Sequence, residues 1–515
     1  MRSTLFAASL LLSSAAFAAD QAPAGDVPPK DVKAESSKSD SDVVKANVEE
    51  DAQPVRRSIA LNGRTITYTA TPGHLTIRND KGEPTASMFY VAYTAAPASG
   101  RARPVTFLFN GGPGSSTMWL HMGSFGPVKV DASNPETIAG PPFRYGANPD
   151  SLLDVTDLVF IDAPTTGLSR EIGKAEPKDF FGVDKDLDAF TRTIQRYLTK
   201  YQRWNSPKFI IGESYGTTRA AGLANSLLDA GVQLNGIAFV STVFNFADFQ
   251  GDQSLVNFLP TYAADAWYHC KIANKPPLEA FLSQARDFAS GTYAAALQKG
   301  NMLTDEQKQS VAQQMAQLTG LSPDYILRSN LRVQPNRFQR ELLRDRHQLI
   351  GRIDSRYVGT EPDNVGEGAD YDPQGSAITG AFVGALNDYL FRDLGYKTPL
   401  TYRPNNYGAI YGGESGWDFT HRAPDDRQQI ADTSVDLASA MRQNPRMKVL
   451  SVNGYYDLAT PFHGAEYEFK HLALEPQLQA NIRYTYYPAG HMMYTDPVSA
   501  RQLKSDLAAF YASAM

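Results

Sequence analysis

A short apolar run that enters a tight turn bounded by glycines most constrains this chain. Residues 208–211 read Lys-Phe-Ile-Ile, and residues 212–216 read Gly-Glu-Ser-Tyr-Gly. The run predicts a strand, and the helix-compatible residues 217–228 predict a helix directly after it. Such a turn needs small flanking residues, and it lifts Ser214 above the sheet at a helix N-terminus. We therefore predict that Ser214 is a nucleophile; the alternative is an ordinary strand-to-helix turn.

Strand-like and helix-like segments alternate through most of the chain. Apolar residues spaced by three and four over 187–201 are typical of the helices in this alternation. The alternation predicts a mostly parallel central sheet covered by helices, and with the serine turn it indicates an α/β-hydrolase fold. Residues 251–400 are helix-prone and lack clear strands, so we expect a helical insertion that forms a lid over the site. The predicted strands are 104–109, 157–162, 208–212, 236–241, 447–453 and 482–487, preceded by hairpins over 58–94.

A nucleophilic serine needs a general base, and the base needs an acid that orients it. In this fold both follow the serine, with the acid first, and each comes after a strand. Asp457 follows the strand-like run 447–452, and His491 follows the run 482–487. We therefore predict a triad of Ser214, Asp457 and His491. Other histidines fit the order or the context less well: His121, His421, His463 and His471.

The oxyanion hole is the remaining requirement, and a glycine-rich loop after the predicted strand 104–109 can supply it. Residues 110–114 read Asn-Gly-Gly-Pro-Gly, and such a loop lets the backbone approach a substrate with its N–H groups turned inward. In this fold one oxyanion donor comes from an early loop and the other from the residue after the nucleophile. The sequence thus predicts an oxyanion hole formed by the N–H groups of Gly112 and Tyr215. A glycine-rich turn without a function is the alternative.

The loop and the serine turn together resemble the serine carboxypeptidase family, peptidase family S10. The resemblance is clear over residues 104–250 and 445–515 and looser between them. It implies a serine-type carboxypeptidase that releases C-terminal residues from peptides through an acyl-enzyme. The segments that carry it are 110–114, 148–151, 158–164, 212–215 and 490–492.

Carried over by position, the resemblance also implies a clamp for the terminal carboxylate of the peptide. Asn110, Gly111 and Glu213 would form it, and Glu213 would donate a hydrogen bond only while protonated. The family has a second glutamate that supports the clamp, and this chain has Ser124 at that position. The strength of C-terminal recognition and the pH preference therefore stay open.

Two further departures are Ser115, where eukaryotic members have cysteine, and Leu108, where the family has tryptophan. They leave the predicted triad unchanged. The main alternative function is a related α/β-hydrolase esterase or acyltransferase, because the same triad serves those reactions. A non-catalytic binding protein that keeps the pocket is a further alternative.

The N-terminal residues predict an exported bacterial protein. Arg2, the apolar run 5–12 and Ala-Phe-Ala at 16–18 form the pattern of a secretory signal peptide. We therefore expect a periplasmic or secreted protein. No later segment has the roughly 18 consecutive apolar residues of a membrane span.

The composition excludes several classes of protein. The formal charge of −6 gives no argument for a nucleic-acid partner, and no Cys-His spacing indicates a metal. The single cysteine, Cys270, cannot form an internal disulfide, and we expect it to be buried and inert. We predict a peptide substrate and no cofactor, and the oligomeric state stays open. The predicted domains are a signal peptide at 1–19, a disordered linker at 20–55, a first core part at 56–250, the insertion at 251–400 and a second core part at 401–515.

Overall fold

The computed structural model describes residues 45–96, 102–131, 135, 140–412 and 416–515. The predicted signal peptide lies outside the described residues. The strands are β1 Val55–Leu61, β2 Arg64–Arg78, β3 Pro84–Ala95, β4 Val105–Phe109, β5 Val128–Val130, β6 Tyr145–Ala147, β7 Asp157–Ile161, β8 Arg170–Glu171, β9 Lys208–Glu213, β10 Gly236–Val240, β11 Leu349–Ile350, β12 Val358–Gly359, β13 His421–Arg422, β14 Arg427–Gln428, β15 Lys448–Gly454 and β16 Ile482–Tyr487.

The α-helices of the described residues cover both faces of the sheet and build the insertion. They are α1 Met118–Leu120, α2 Val183–Lys200, α3 Tyr215–Asp229, α4 Gly251–Tyr268, α5 Leu278–Phe288, α6 Ala294–Lys299, α7 Asp305–Thr319, α8 Pro323–Arg328, α9 Pro335–Glu341, α10 Pro373–Asn387, α11 Tyr407–Tyr411, α12 Ser434–Gln443, α13 Phe462–Lys470, α14 Pro476–Gln479 and α15 Pro497–Ser513. Short 3₁₀ segments are Leu152–Asp154, Pro177–Phe180, Phe246–Phe249, Gly300–Met302, Arg344–Arg346 and Met493–Thr495, and π segments are His121–Phe125, Ala289–Tyr293 and Asp388–Asp393.

One large sheet forms the centre of the fold. Its strand order is β1-β2-β3-β7-β4-β9-β10-β15-β16, with β8 paired to β3. The first three strands form antiparallel hairpins, whereas β7, β4, β9, β10, β15 and β16 run parallel to one another. Because parallel strands end at the same edge, the loops after β4, β9, β15 and β16 all lie at the carboxyl edge. The α/β-hydrolase fold with a mostly parallel sheet, predicted from the sequence, is confirmed.

Two apolar layers lie on opposite faces of this sheet, because the central strands are buried on both sides. A third buried cluster belongs to the segment between β10 and β15, in which helices α4 to α10 follow one another. This cluster also includes Tyr455, Tyr456 and Leu458, which flank Asp457. The inserted helices therefore pack directly against the loop that carries the predicted acid.

The first described residues correct part of the linker prediction. Residues 45–55 were expected to belong to a disordered linker, but Glu50 forms ion pairs with Arg196 and Lys200. Asp51 hydrogen-bonds the His74 ring at 2.9 Å. The composition alone suggested disorder because these residues carry little apolar surface, but they are fixed by ion pairs and hydrogen bonds to the core rather than by burial.

A second correction concerns Cys270, which we expected to be buried. The thiol is exposed, because the residue lies just past the end of helix α4 at a positive φ of 58°. None of the described helices combines the length and apolar character needed to cross a bilayer.

Candidate active site

Ser214 occupies a strained turn between β9 and α3. Its φ of 61° and ψ of −131° lie outside the regions that residues with a side chain prefer. A Cβ atom on Gly212 would lie 2.1 Å from the carbonyl oxygen of Gly216, so the turn closes only with glycine there. The Ser214 N–H donates to the Val240 carbonyl at 3.0 Å, which ties the turn to β10. The backbone geometry is thus the tight, strained turn that the sequence pattern predicts for a nucleophile.

Asp457 and His491 meet at the carboxyl edge of the sheet. The Nδ1 atom of His491 lies 2.8 Å from Oδ2 of Asp457, and both side chains are buried. The other carboxylate oxygen accepts the backbone N–H groups of Ala459 and Thr460, so the carboxylate cannot rotate away. With Nδ1 donating to the carboxylate, Nε2 of His491 is free to accept a proton.

The charge of Asp457 also governs the basicity of His491. Burial alone would lower the pKa of His491, but the Asp457 carboxylate and, behind it, Glu213 raise that pKa above its ordinary value. Arg352 opposes this rise. The resulting imidazole is a stronger base than a buried, unpaired histidine would be.

The glycine loop after β4 lies directly against the elbow. A Cβ atom on Gly111 would lie 2.4 Å from the backbone nitrogen of Tyr215, so only glycine allows this approach. Gly112 has a φ of +108°, and its N–H has no acceptor among the described residues. The Tyr215 N–H is in the first turn of α3, where N–H groups have no intrahelical acceptor. Two free donors therefore lie on adjoining backbones beside Ser214.

Glu213 is a buried carboxyl group directly before Ser214. It is 2 % exposed, and its Oε2 atom has no hydrogen-bond partner among the described residues. Burial raises its pKa to about 7, against the lowering influence of His491, Tyr494 and Asn110. Below about pH 7 the carboxyl group is therefore mostly protonated, and in that state it can donate a hydrogen bond to an anion.

Asn110 stands beside Glu213 and is held rigidly. Its side-chain oxygen accepts the Leu120 N–H at 3.0 Å, and its backbone carbonyl accepts a hydrogen bond from the buried Arg219 guanidinium. Ser124, at the position of the missing second glutamate, donates to the Leu120 carbonyl at 2.5 Å. The Ser124 hydroxyl is therefore bound to the backbone and adds no acid to the site.

Part of the insertion braces both triad loops. The Ile353 carbonyl accepts the His491 N–H at 2.7 Å, and the Arg352 carbonyl accepts the Leu458 N–H at 3.0 Å. The Asp354 carboxylate accepts the Gly490 N–H at 3.2 Å. Asp372 in turn accepts the N–H groups of Arg352 and Ile353. Residues 352–354, which we call the brace, thus hold the acid and the base at a fixed separation.

Several residues of the site were missed in the sequence. Thr460 donates to Asp457 at 2.7 Å and lies 3.1 Å from the His491 ring. Its spacing of three from Asp457, typical of a capping turn, was the available signal. Tyr494 acts on Glu213 from three residues past His491. The brace had no sequence signal, because its contacts are all long-range.

The histidines that fit the triad less well are packed or hydrogen-bonded away from Ser214, or lie on or next to a helix. His121 is buried beside Tyr93, and burial lowers its pKa to about 3. His421 lies between Asp184 and Asp436, within 2.8 Å of each. His463 and His471 lie on or next to α13. Among the described residues, no group of three or more His, Cys, Asp or Glu side chains could hold a metal ion.

The sheet order, the strained serine turn after β9 and the acid–histidine pair after β15 and β16 define an α/β-hydrolase. The model of the serine carboxypeptidase family, peptidase S10, matches residues 63–320. The chain belongs to this family, as its sequence motifs indicated.

Two yeast comparisons agree with this membership. The pheromone-processing carboxypeptidase KEX1 of Saccharomyces cerevisiae is 29 % identical over 169 residues. The match covers 30 % of this chain and 22 % of that relative, so the chain spans about a fifth of the relative's length. The crystal structure of a prohormone-processing carboxypeptidase, KEX1(delta)p from the same yeast, has a TM-score of 0.53 at 15 % identity. It covers 86 % of this chain and 91 % of the other. At this identity the structural likeness shows the fold.

Proposed function

We propose that this protein is a serine-type carboxypeptidase that releases C-terminal residues from peptides. The observation that carries the proposal is Glu213, a buried carboxyl group with a free oxygen directly before Ser214. A generic esterase has no use for a carboxyl group that still holds its proton near neutral pH beside the nucleophile, whereas a terminal carboxylate can accept a hydrogen bond from such a group. Membership of the serine carboxypeptidase family supports the same conclusion.

In the proposed reaction, Ser214 Oγ attacks the carbonyl carbon of the last peptide bond while His491 Nε2 takes its proton. Asp457 holds the imidazole and stabilises its positive charge. The N–H groups of Gly112 and Tyr215 stabilise the oxyanion. His491 then gives the proton to the departing amino acid, and water hydrolyses the acyl-enzyme by the same route in reverse.

In the same proposal, Asn110, Gly111 and Glu213 hold the free carboxylate of the substrate. Asn110 and the N–H of Gly111 are donors at any pH, whereas Glu213 donates only while protonated. With a single such acid, the clamp is weaker than one built from two. The inserted helices would form the wall of the site and select side chains.

Export to the periplasm or the medium is part of the proposal. It is supported by the leader-like pattern of residues 1–19, which lie outside the described residues. A mature chain shortened at its N-terminus, recovered from the periplasmic or culture fraction, checks it.

A peptide library tests the activity directly. We expect the protein to shorten free-acid peptides one residue at a time from the C-terminus, which mass spectrometry detects. Amidated copies of the same peptides should react about ten times more slowly or worse, since a hydrogen bond to a charged group is worth ~1.5–3 kcal/mol. Equal rates on free and amidated peptides, together with fast hydrolysis of simple esters, would favour the esterase alternative.

The pH dependence of peptide hydrolysis tests Glu213. Because its pKa is raised to about 7, the carboxyl group loses its proton, and then repels the substrate carboxylate, as pH rises through neutrality. For Glu213→Gln we expect this alkaline fall in kcat/KM to flatten, since the amide donates at every pH. Loss of the Glu213 charge should also lower the pKa of His491 and shift the acid limb to lower pH.

An ester without a carboxylate is the control substrate for this variant. Its alkaline limb should be the same with Glu213 and with glutamine. If the variant and the parent protein gave superimposable profiles on free-acid peptides, Glu213 would not bind the carboxylate.

A further inference from the structure

Arg352 is fixed beside the active site by its backbone. Its N–H donates to Asp372 at 2.6 Å, and its carbonyl accepts the Leu458 N–H, one residue past the triad acid. The next residue of the brace, Ile353, accepts the His491 N–H. Arg352 therefore lies next to both triad loops, and its position is set by the same contacts that hold the triad together.

The guanidinium of Arg352 has no partner in the described part of the chain. The side chain is half-buried, yet no hydrogen bond or ion pair joins it to a described residue. Its neighbours in the insertion differ, since Arg356 pairs with Asp354, Arg340 with Glu361, and Arg344 with Glu341. A partly desolvated cation without a counter-ion is costly, and at a ligand site this cost is offset when an anion binds.

The field of Arg352 acts on the residues that surround the nucleophile. Arg352 opposes the rise in the pKa values of His491 and Tyr407. The Tyr407 ring lies over the oxyanion loop, because a Cβ atom on Gly112 would be 3.2 Å from it. Glu213 acts on the same two residues with the opposite sign. Arg352 and Glu213 thus act with opposite sign on the same two side chains, of which Tyr407 lies against the glycine loop.

With Ser124 in place of a second glutamate, the described part of the proposed clamp has one carboxylic acid, Glu213, and Arg352 is an uncommitted cation beside it. A guanidinium forms bidentate hydrogen bonds with a carboxylate and keeps its charge at every pH. We propose that Arg352 binds a carboxylate of the substrate beside the scissile bond, either the free C-terminus or an acidic side chain. This proposal rests on the peptidase activity proposed above, and it adds a charged receptor from the insertion.

Kinetics of Arg352→Gln on four matched peptides test the proposal and identify the carboxylate. The peptides combine a free or amidated C-terminus with glutamate or glutamine in the residues on either side of the scissile bond. If Arg352 binds the terminal carboxylate, kcat/KM should fall about 10- to 100-fold on both free-acid peptides and stay unchanged on the amidated ones. If it binds an acidic side chain, kcat/KM should instead fall on both glutamate peptides and stay unchanged on both glutamine peptides. In both cases most of the change should be in KM, and Arg352→Lys should recover part of it.

Arg337→Gln is the matched control, because it removes the same charge from an exposed ion pair with Glu367 in the insertion. It should leave all four peptides unchanged. An equal loss of kcat/KM for Arg352→Gln on every peptide would show a structural role, and no loss on any peptide would show that the side chain binds no carboxylate. Either result overturns the proposal.

Labelling of Ser214 by a fluorophosphonate distinguishes failure of the proposed peptidase activity from failure of the role of Arg352. A parent protein that is labelled but cleaves no peptide would refute the proposed peptidase activity, whereas a cleaving protein without the predicted discrimination would refute only the role of Arg352.

Discussion

Replacement of Ser214 with alanine should lower kcat by about 10⁵- to 10⁶-fold on any substrate that the protein hydrolyses. The reason is that the covalent step has no other nucleophile, since Ser214 alone occupies the strained turn above the adjoining free N–H groups of Gly112 and Tyr215. His491→Ala should be comparably damaging. Asp457→Asn should cost about 10⁴-fold, because the imidazole loses its orientation and its counter-charge. Single-turnover and steady-state kinetics on one peptide measure all three.

Ser376→Ala is the matched control for the serine variant. Ser376 is exposed on helix α10, and its side chain makes no hydrogen bond to a described residue. This change should leave kcat and fluorophosphonate labelling intact, whereas Ser214→Ala should abolish the labelling. A folded Ser214→Ala protein with near-normal turnover would refute the nucleophile assignment and with it the proposed mechanism.

Breaking the buried ion pair between Asp186 and Arg219 should cost ~3–5 kcal/mol of unfolding free energy. Arg219 donates to both carboxylate oxygens of Asp186, at 2.7 and 3.0 Å, and both side chains are at most 1 % exposed. Arg219→Met keeps the volume but leaves the Asp186 charge buried and unpaired. Denaturant unfolding monitored by circular dichroism measures the loss.

The control for this variant is an exposed pair of the same residue types. Arg328 and Asp324 form an exposed i,i+4 pair on α8, so Arg328→Met should cost about 0.5 kcal/mol or less. Adding Asp186→Leu to Arg219→Met should recover much of the stability, since it removes the unpaired charge. If Arg219→Met were as mild as Arg328→Met, the ion pair would not stabilise this core.

The Arg219 variant should also affect the site. The third hydrogen bond of the guanidinium goes to the carbonyl of Asn110, the first residue of the proposed clamp. In the recovered double variant, this link stays broken while the fold is stable. We therefore expect that protein to discriminate less between free and amidated peptides, which separates the stabilising role of Arg219 from its positioning role.

The fold class and the family could be predicted from the sequence, because their signals are local. The strand, tight turn and helix around Ser214 need small residues at fixed spacing, and that spacing is visible without any tertiary contact. The predicted strand 208–212 falls in β9, and the predicted helix over 187–201 overlaps α2, which ends one residue earlier, at Lys200. The order of the acid and the histidine after their strands could be predicted for the same reason. The roles of Asp457 and His491 stay predictions until the variants are measured.

The pKa values and the fixed positions of the site residues depend on contacts that form only in the folded chain. The pKa of Glu213 depends on burial and on Asn110, Asp457, His491 and Tyr494, which come from three separate segments, and the brace contacts with the loops of Asp457 and His491 join positions more than 100 residues apart. Residues 45–55 are ordered because they form ion pairs and hydrogen bonds with the core. Cys270 is exposed because helix α4 ends at Tyr268, two residues before it. Within the described residues the guanidinium of Arg352 has no hydrogen-bond or ion-pair partner, and no local pattern of residues predicts this. A sequence shows which groups exist; desolvation and charge pairing depend on their distances, which only packing fixes.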